Sequence, residues 1–333
     1  MEDIMQTLTE RPIPEAETPL TAAVMATDLV KTYPSPEGGT FNAVDGVSLE
    51  VKTGEIFGFL GPNGAGKTTT LEIIEGLQEP SAGRTAVLGL DSKTDRAEMK
   101  ERIGVQLQAS SYFPHLTLEE LLRLFGSWYR TARHPHELLD KVGLAGKRKA
   151  LVGELSGGQA QRFSIVAALV NDPDVVFLDE PTTGLDPQAR RNVWELIRGI
   201  NEDEGKTVVL TTHYMDEAEI LSHRVAIIDT GKIQAVDTPQ GLITRLGDSH
   251  LVSFTLDGDI EDAALHQLDG VERIERTRNT ALHFELSVAD PSKVVPALYS
   301  LASVRSRQLS ALQVHAPDLE TVFLNVTGTR LRD

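Results

Sequence analysis

The chain has 333 residues, 40% of them hydrophobic and 24% charged, and a formal net charge of −17. That length predicts two domains, and the acidic balance argues against a nucleic-acid groove as the main surface, because such a track needs a basic stripe. It leaves room for one bound nucleotide, which a cluster of backbone N–H groups can hold. With no cysteine, disulfides, thiolate metal sites and cysteine nucleophiles are excluded together, which fits a reducing cytosol.

Residues 1–23 read as a disordered tail. The first twenty carry five acidic residues, one arginine and three prolines, a mix that buries little apolar area. They contain no basic and then apolar run of the kind a signal peptide needs. The longest apolar stretches, such as Ile165–Val170, fall far short of the roughly 20 residues that span a bilayer.

Residues 24–245 form the first expected domain. Val24–Lys31 and Ala43–Val51 read as strands, with a turn-rich loop from Tyr33 to Thr40 between them. Glu55–Leu60 is a third strand, followed by a glycine loop and a helix. Apolar strands at 175–179 and 207–212 alternate with helical stretches at 159–171 and 188–203, and 225–236 reads as a hairpin around Thr230 and Gly231. The alternation predicts an α/β domain with a largely parallel sheet.

Residues 246–333 form the second. The pattern there is β-α-β-β-α-β, which predicts a small α+β, ferredoxin-like unit. It closes in a helix over 317–327, with Leu319, Val322, Phe323 and Val326 at helical spacing.

The glycine loop carries the first chemistry. Gly61-Pro62-Asn63-Gly64-Ala65-Gly66-Lys67-Thr68 fits the phosphate-cradling pattern, with a strand before it and a helix, opening at Thr69, after it. The glycines let successive N–H groups curl toward phosphate oxygens, and the helix N-terminus adds partial positive charge. Lys67 would reach the outer phosphates and Thr68 would bind Mg²⁺. Downstream, Val175–Glu180 is an apolar strand ending in two acids. Such a strand delivers carboxylates beside the phosphate loop. Asp179 would orient water on the metal, and Glu180 would act as general base.

Leu155-Ser156-Gly157-Gly158-Gln159 stands between those two motifs. By itself it is a Ser-Gly-Gly turn capping a helix. In that order the chain resembles the ATPases of ABC transporters over about residues 24–240. The resemblance makes Gln108 the glutamine of the Q-loop, a catalytic and metal-facing residue. It makes Gly184–Pro187 the D-loop and His213 the switch histidine. Tyr33 becomes the aromatic that stacks on adenine. It also implies ATP and Mg²⁺ as ligands, and a head-to-tail dimer in which Ser156 and Gly158 of one copy meet the γ-phosphate held by the other.

The segment from Thr211 to Glu219 and the closing residues 317–328 are similar to the drug-exporter branch, the daunorubicin-resistance type. That branch implies export of a drug-like or lipid-like substrate through a separate permease, with this chain in the cytoplasm on the inner membrane face. Tyr112, Phe113 and Leu116 are candidates either for permease contact or for the core of the helical subdomain. Glu119 and Glu120 read as a solvated helix face. The alternative is an ABC ATPase with a non-transport remodelling role. No nucleic-acid partner is expected.

Overall fold

The computed structural model describes residues 22–35, 38–108, 112–246, 249–278 and 282–328. Most of the expected tail therefore lies outside the described residues. Its last two positions do not: Ala22 and Ala23 already belong to the first strand, where Ala22 pairs with Lys52.

The chain opens with a long hairpin, β1 (Ala22–Pro34) and β2 (Thr40–Lys52). Then come β3 (Ile56–Leu60) and α1 (Lys67–Ile74). A short hairpin, β4 (Ala82–Val87) and β5 (Leu90–Asp91), leads to α2 (Arg96–Arg102) and β6 (Ile103–Gln106). Next are α3 (Leu118–Gly126), α4 (Pro135–Lys141) and α5 (Gly157–Ala167). They are followed by β7 (Val175–Asp179), α6 (Pro187–Glu202), β8 (Thr207–Thr212) and α7 (Met215–Leu221). The hairpin β9 (Arg224–Asp229) and β10 (Lys232–Asp237) and the helix α8 (Pro239–Leu246) complete this part.

Among the described residues the first domain holds two sheets, where the sequence suggests one. The six-stranded sheet runs β10-β9-β3-β8-β7-β6. Its strands are parallel from β9 through β6, and only β10 is antiparallel. Every residue of β3, β7 and β8 is buried, which is why each reads as an unbroken apolar run rather than an alternation. Successive side chains still go to opposite faces. Val175 and Phe177 pack with α1 and β1, while Val176 and Leu178 pack with α5 and α6. The second sheet, β2-β1-β4-β5, is antiparallel. Its β4, Ala-Gly-Arg-Thr-Ala-Val, is too polar to announce itself as a strand.

The loop expected after Tyr33 is partly strand. β1 continues to Pro34 and pairs Tyr33 with Phe41. In the helical part, Tyr112 and Leu116 pack against the core around Phe163, and Phe113 is 56% exposed. Glu119 and Glu120 are engaged: Glu120 completes a capping box with Thr117, and Glu119 pairs with Arg123 at 2.6 Å.

The C-terminal unit contains β11 (His250–Leu256), α9 (Asp262–His266), β12 (Val271–Arg278), β13 (Leu282–Val288), α10 (Pro291–Val304) and β14 (Leu309–His315). Its sheet order is β12-β13-β11-β14 with every pair antiparallel, the ferredoxin-like arrangement. One face, including Phe254, Phe284 and Leu286, packs under Leu265, Val294 and Leu298 of the two helices. The last helix, α11 (Leu319–Thr327), leaves this unit. Leu319, Val322 and Phe323 pack with Leu60, Ala218, Val225, Ile227 and Leu242 of the first domain. The chain beyond 246 thus contributes to two cores.

Candidate active site

Parallel pairing aligns the C-terminal ends of β3, β8 and β7. Leu60 lies beside Thr212, and Asp179 beside Thr211. The segments that follow these strands therefore leave the same edge, where ligands of open α/β sheets bind. The phosphate loop follows β3, Glu180 follows β7 and His213 follows β8.

The loop needs glycine for space as well as for shape. Gly66 has φ +98°, and an added Cβ would sit 2.2 Å from the Ala43 carbonyl oxygen. Gly66 also caps α1 without any side-chain hydrogen bond, so the first N–H groups of the helix face the loop. Lys67 folds over this cradle. Its Nζ donates to the carbonyls of Gly61 (2.8 Å) and Pro62 (3.1 Å) and lies 3.3 Å from Glu180 Oε1.

Glu180 is the hub. Its Oε2 accepts from Gln108 Nε2 (3.2 Å) and Thr183 Oγ1 (3.0 Å). His213 Nδ1 comes within 3.3 Å of the same oxygen, without hydrogen-bond alignment. The Glu180 backbone has φ +47°, a left-handed conformation that a non-glycine residue holds at some strain. Its N–H donates to Thr211 Oγ1 at 2.9 Å, which fixes that turn. Burial pushes the Glu180 carboxyl up, but the Lys67 charge and the Thr183 hydroxyl bring it net below its ordinary value. It stays ionised, as a base must.

Asp179 accepts from Thr68 Oγ1 at 3.1 Å and from Thr211 Oγ1. Burial raises its carboxyl above the usual range, against those two hydroxyls. The chain therefore brings together Lys67, Thr68, Gln108, Asp179, Glu180 and His213, all expected from the sequence. Tyr33 lines the same cleft as Lys67, Thr68, Gln108 and Glu180, of about 440 Å³, with Pro62, Asn63, Gly64, Gly66 and Thr69.

Phe41 also lines this cleft and was missed. Its ring lies 6.0 Å from that of Tyr33, and it is 50% exposed. The signal was available: once Tyr33 is placed on a strand, its hairpin partner is a second aromatic. Tyr33 is itself anchored, its hydroxyl donating to Gln78 Oε1 at 2.6 Å.

The Ser-Gly-Gly-Gln segment does not join the cleft. It lines a separate cleft of about 480 Å³ with Gly184, Leu185 and Asp186. Ser156 caps α5 in a capping box with Gln159. Gln159 Oε1 accepts from the Ser156 N–H (3.2 Å) and from Lys147 Nζ (2.9 Å), so this carbonyl serves the loop itself. The two clefts share no lining residue.

Residues 44–183 match the family of ABC transporters. The linearmycin resistance ATP-binding protein of Bacillus subtilis is 37% identical over 317 residues, covering 93% of this chain and all of that one. A Nod factor export ATP-binding protein of Burkholderia thailandensis is 39% identical, covering 87% of this chain and 93% of its own. Among solved structures, an ATP-binding cassette in a dimeric post-hydrolysis state bound to ADP and phosphate superimposes with a TM-score of 0.59. It is 30% identical and covers 65% of this chain and 98% of its own.

Proposed function

The chain belongs to the ATP-binding subunits of ABC transporters, and building on that membership we propose that it powers export through a separate membrane-spanning partner. As a member it binds and hydrolyses ATP. The observation that carries the reaction is the meeting of Lys67, Glu180, Gln108 and His213 at one sheet edge.

In this reading the terminal phosphoryl group passes to water. Glu180 takes the proton of the attacking water, which Gln108 helps to orient. Lys67 and His213 offset charge on the phosphoryl oxygens, and ADP leaves. Positioning and charge stabilisation suffice for such a transfer. The donor set also fits Mg²⁺: the Thr68 hydroxyl and the Asp179 carboxylate lie together, with the Gln108 amide nearby. These are hard oxygen donors, and Mg²⁺ fills its remaining positions with phosphate and water. The metal would offset phosphate charge there.

Separate clefts for the phosphate loop and for Ser156–Gly158 support a head-to-tail pair, with each ATP held between two copies. Export rests on relatives named for resistance and for export. Among the described residues no helix is long and apolar enough to cross a membrane. The reading places the pore in another chain and this one on the inner face of the membrane. The test is Mg²⁺-dependent ATP hydrolysis, alone and with the candidate membrane partner in lipid vesicles. ATP-driven movement of solute across the vesicle supports export. Hydrolysis that ignores the membrane protein would instead favour a remodelling role.

A further inference from the structure

Glu217 is fully buried, and none of the steps above uses it. One of its oxygens, Oε1, accepts two hydrogen bonds from two different elements. Thr182 Oγ1 donates at 2.8 Å from the segment just after Glu180, and Trp194 Nε1 donates at 2.9 Å from α6. Glu217 itself lies in α7, which starts two residues after His213. A buried carboxylate carries a large desolvation cost unless it is well compensated. Burial accordingly pushes this carboxyl up, against the hydroxyls of Thr212 and Thr182 and the Trp194 N–H. An apolar side chain of the same volume would hold this core together more cheaply.

A second contact joins two of these elements, α6 and the start of α7. Arg190 of α6 lies over the Tyr214 ring at 4.0 Å and pairs with Asp216 at 3.5 Å. The Tyr214 ring sits 4.1 Å from that of His213. Glu180 and His213 thus emerge from neighbouring strands, and their continuations are tied together within a few residues.

We propose that Glu217 is a positioning residue for ATP hydrolysis. Through Thr182 and Trp194 it fixes the Glu180 turn and α6 against α7, the helix that follows His213. It sets the register of the base against the switch histidine without touching nucleotide. The proposal rests on the ATPase reading. Misplacing a reacting group by about 1 Å can lower a rate on the order of 100-fold.

The test compares steady-state hydrolysis, ATP affinity and melting temperature for wild type, Glu217→Gln, Glu217→Leu, Thr182→Val and Trp194→Phe. Glu217→Gln keeps an acceptor oxygen and is expected to retain kcat within about threefold of wild type. Glu217→Leu removes it, so kcat should fall roughly 10- to 100-fold, with little change in ATP affinity and no loss of melting temperature. Thr182→Val and Trp194→Phe each remove one donor and should lower kcat by smaller factors; they carry the test if the leucine variant does not fold. Folded Glu217→Leu, Thr182→Val and Trp194→Phe variants that bind ATP and hydrolyse it at the wild-type rate overturn the proposal. So does a kcat that merely tracks melting temperature, because that marks a structural role. A wild-type protein with no hydrolysis, with or without its membrane partner, overturns the ATPase reading and this proposal with it.

Discussion

Lys67 and Glu180 meet as a buried ion pair, with Nζ 3.3 Å from Oε1 and side chains 4% and 5% exposed. A γ-phosphate reached by Lys67 competes with Glu180 for the same charge. Glu180→Gln weakens that competition and removes the base. ATP should bind the variant more tightly than wild type, while hydrolysis falls by about 10²–10⁴. Equilibrium nucleotide binding and phosphate release check the two halves independently. Weaker binding to the variant would show that Glu180 aids binding instead of opposing it.

Glu75 gives a pH dependence. It is 2% exposed, directly after α1, and its Oε2 has no hydrogen-bond partner. Burial, reinforced by Asp179 and Glu72, pushes its carboxyl up to about 8. Below pH 4.5 it is neutral in both folded and unfolded chains. Between 4.5 and 8 the unfolded chain has lost this proton and the folded chain keeps it, so the Glu75 contribution to stability falls as pH rises. Glu75→Gln removes that slope. Its melting temperature should match wild type near pH 4.5 and exceed it at pH 8, by a stability difference of up to about 4 kcal/mol. A gap that does not change with pH would rule out this titration.

On the proposed reading, the aromatic pair grips the adenine. Tyr33 and Phe41 line the phosphate cleft. Aromatic contacts of this kind contribute roughly 0.5–1.5 kcal/mol each. Tyr33→Ala and Phe41→Ala should each weaken ATP binding by about 3- to 10-fold. Binding of inorganic triphosphate should stay unchanged, which separates loss of the base contact from damage to the loop.

The central site was legible because its motifs are contiguous. A phosphate loop reads from consecutive residues, and fully buried parallel strands such as Val175–Asp179 announce themselves as apolar runs. What failed was whatever depended on pairing across distance. The Tyr33–Phe41 register lies in a hairpin whose connection reads as a loop. The Glu217 carboxylate meets Thr182 and Trp194 from 35 and 23 residues away. The destination of α11 was equally hidden: the spacing of Leu319, Val322 and Phe323 predicts an apolar stripe but not which core receives it.

Dimer formation can be probed at the second cleft. Ser156 and Gly157 are exposed, and Ser156 is remote from Lys67 in the lining of the clefts. Ser156→Arg placed on Glu180→Gln should leave ATP binding to one copy within about threefold, while blocking the ATP-dependent dimer by bulk and desolvation. Apparent mass with and without ATP decides it. A double variant that still dimerises would place the contact between copies elsewhere.

The last helix offers a test of domain organisation. Phe323 is 1% exposed and buried among Leu60, Val225 and Leu242 of the first domain, not among the strands of the ferredoxin-like unit. Truncating a buried phenylalanine costs about 3–5 kcal/mol. Phe323→Ala should therefore destabilise the ATP-binding domain, visible as a lower melting temperature of the transition that ATP raises. Leu298→Ala, in the core under α10, should instead lower a transition that ATP does not shift. If both variants lower one shared transition equally, the two cores unfold together and α11 is the joint that couples them.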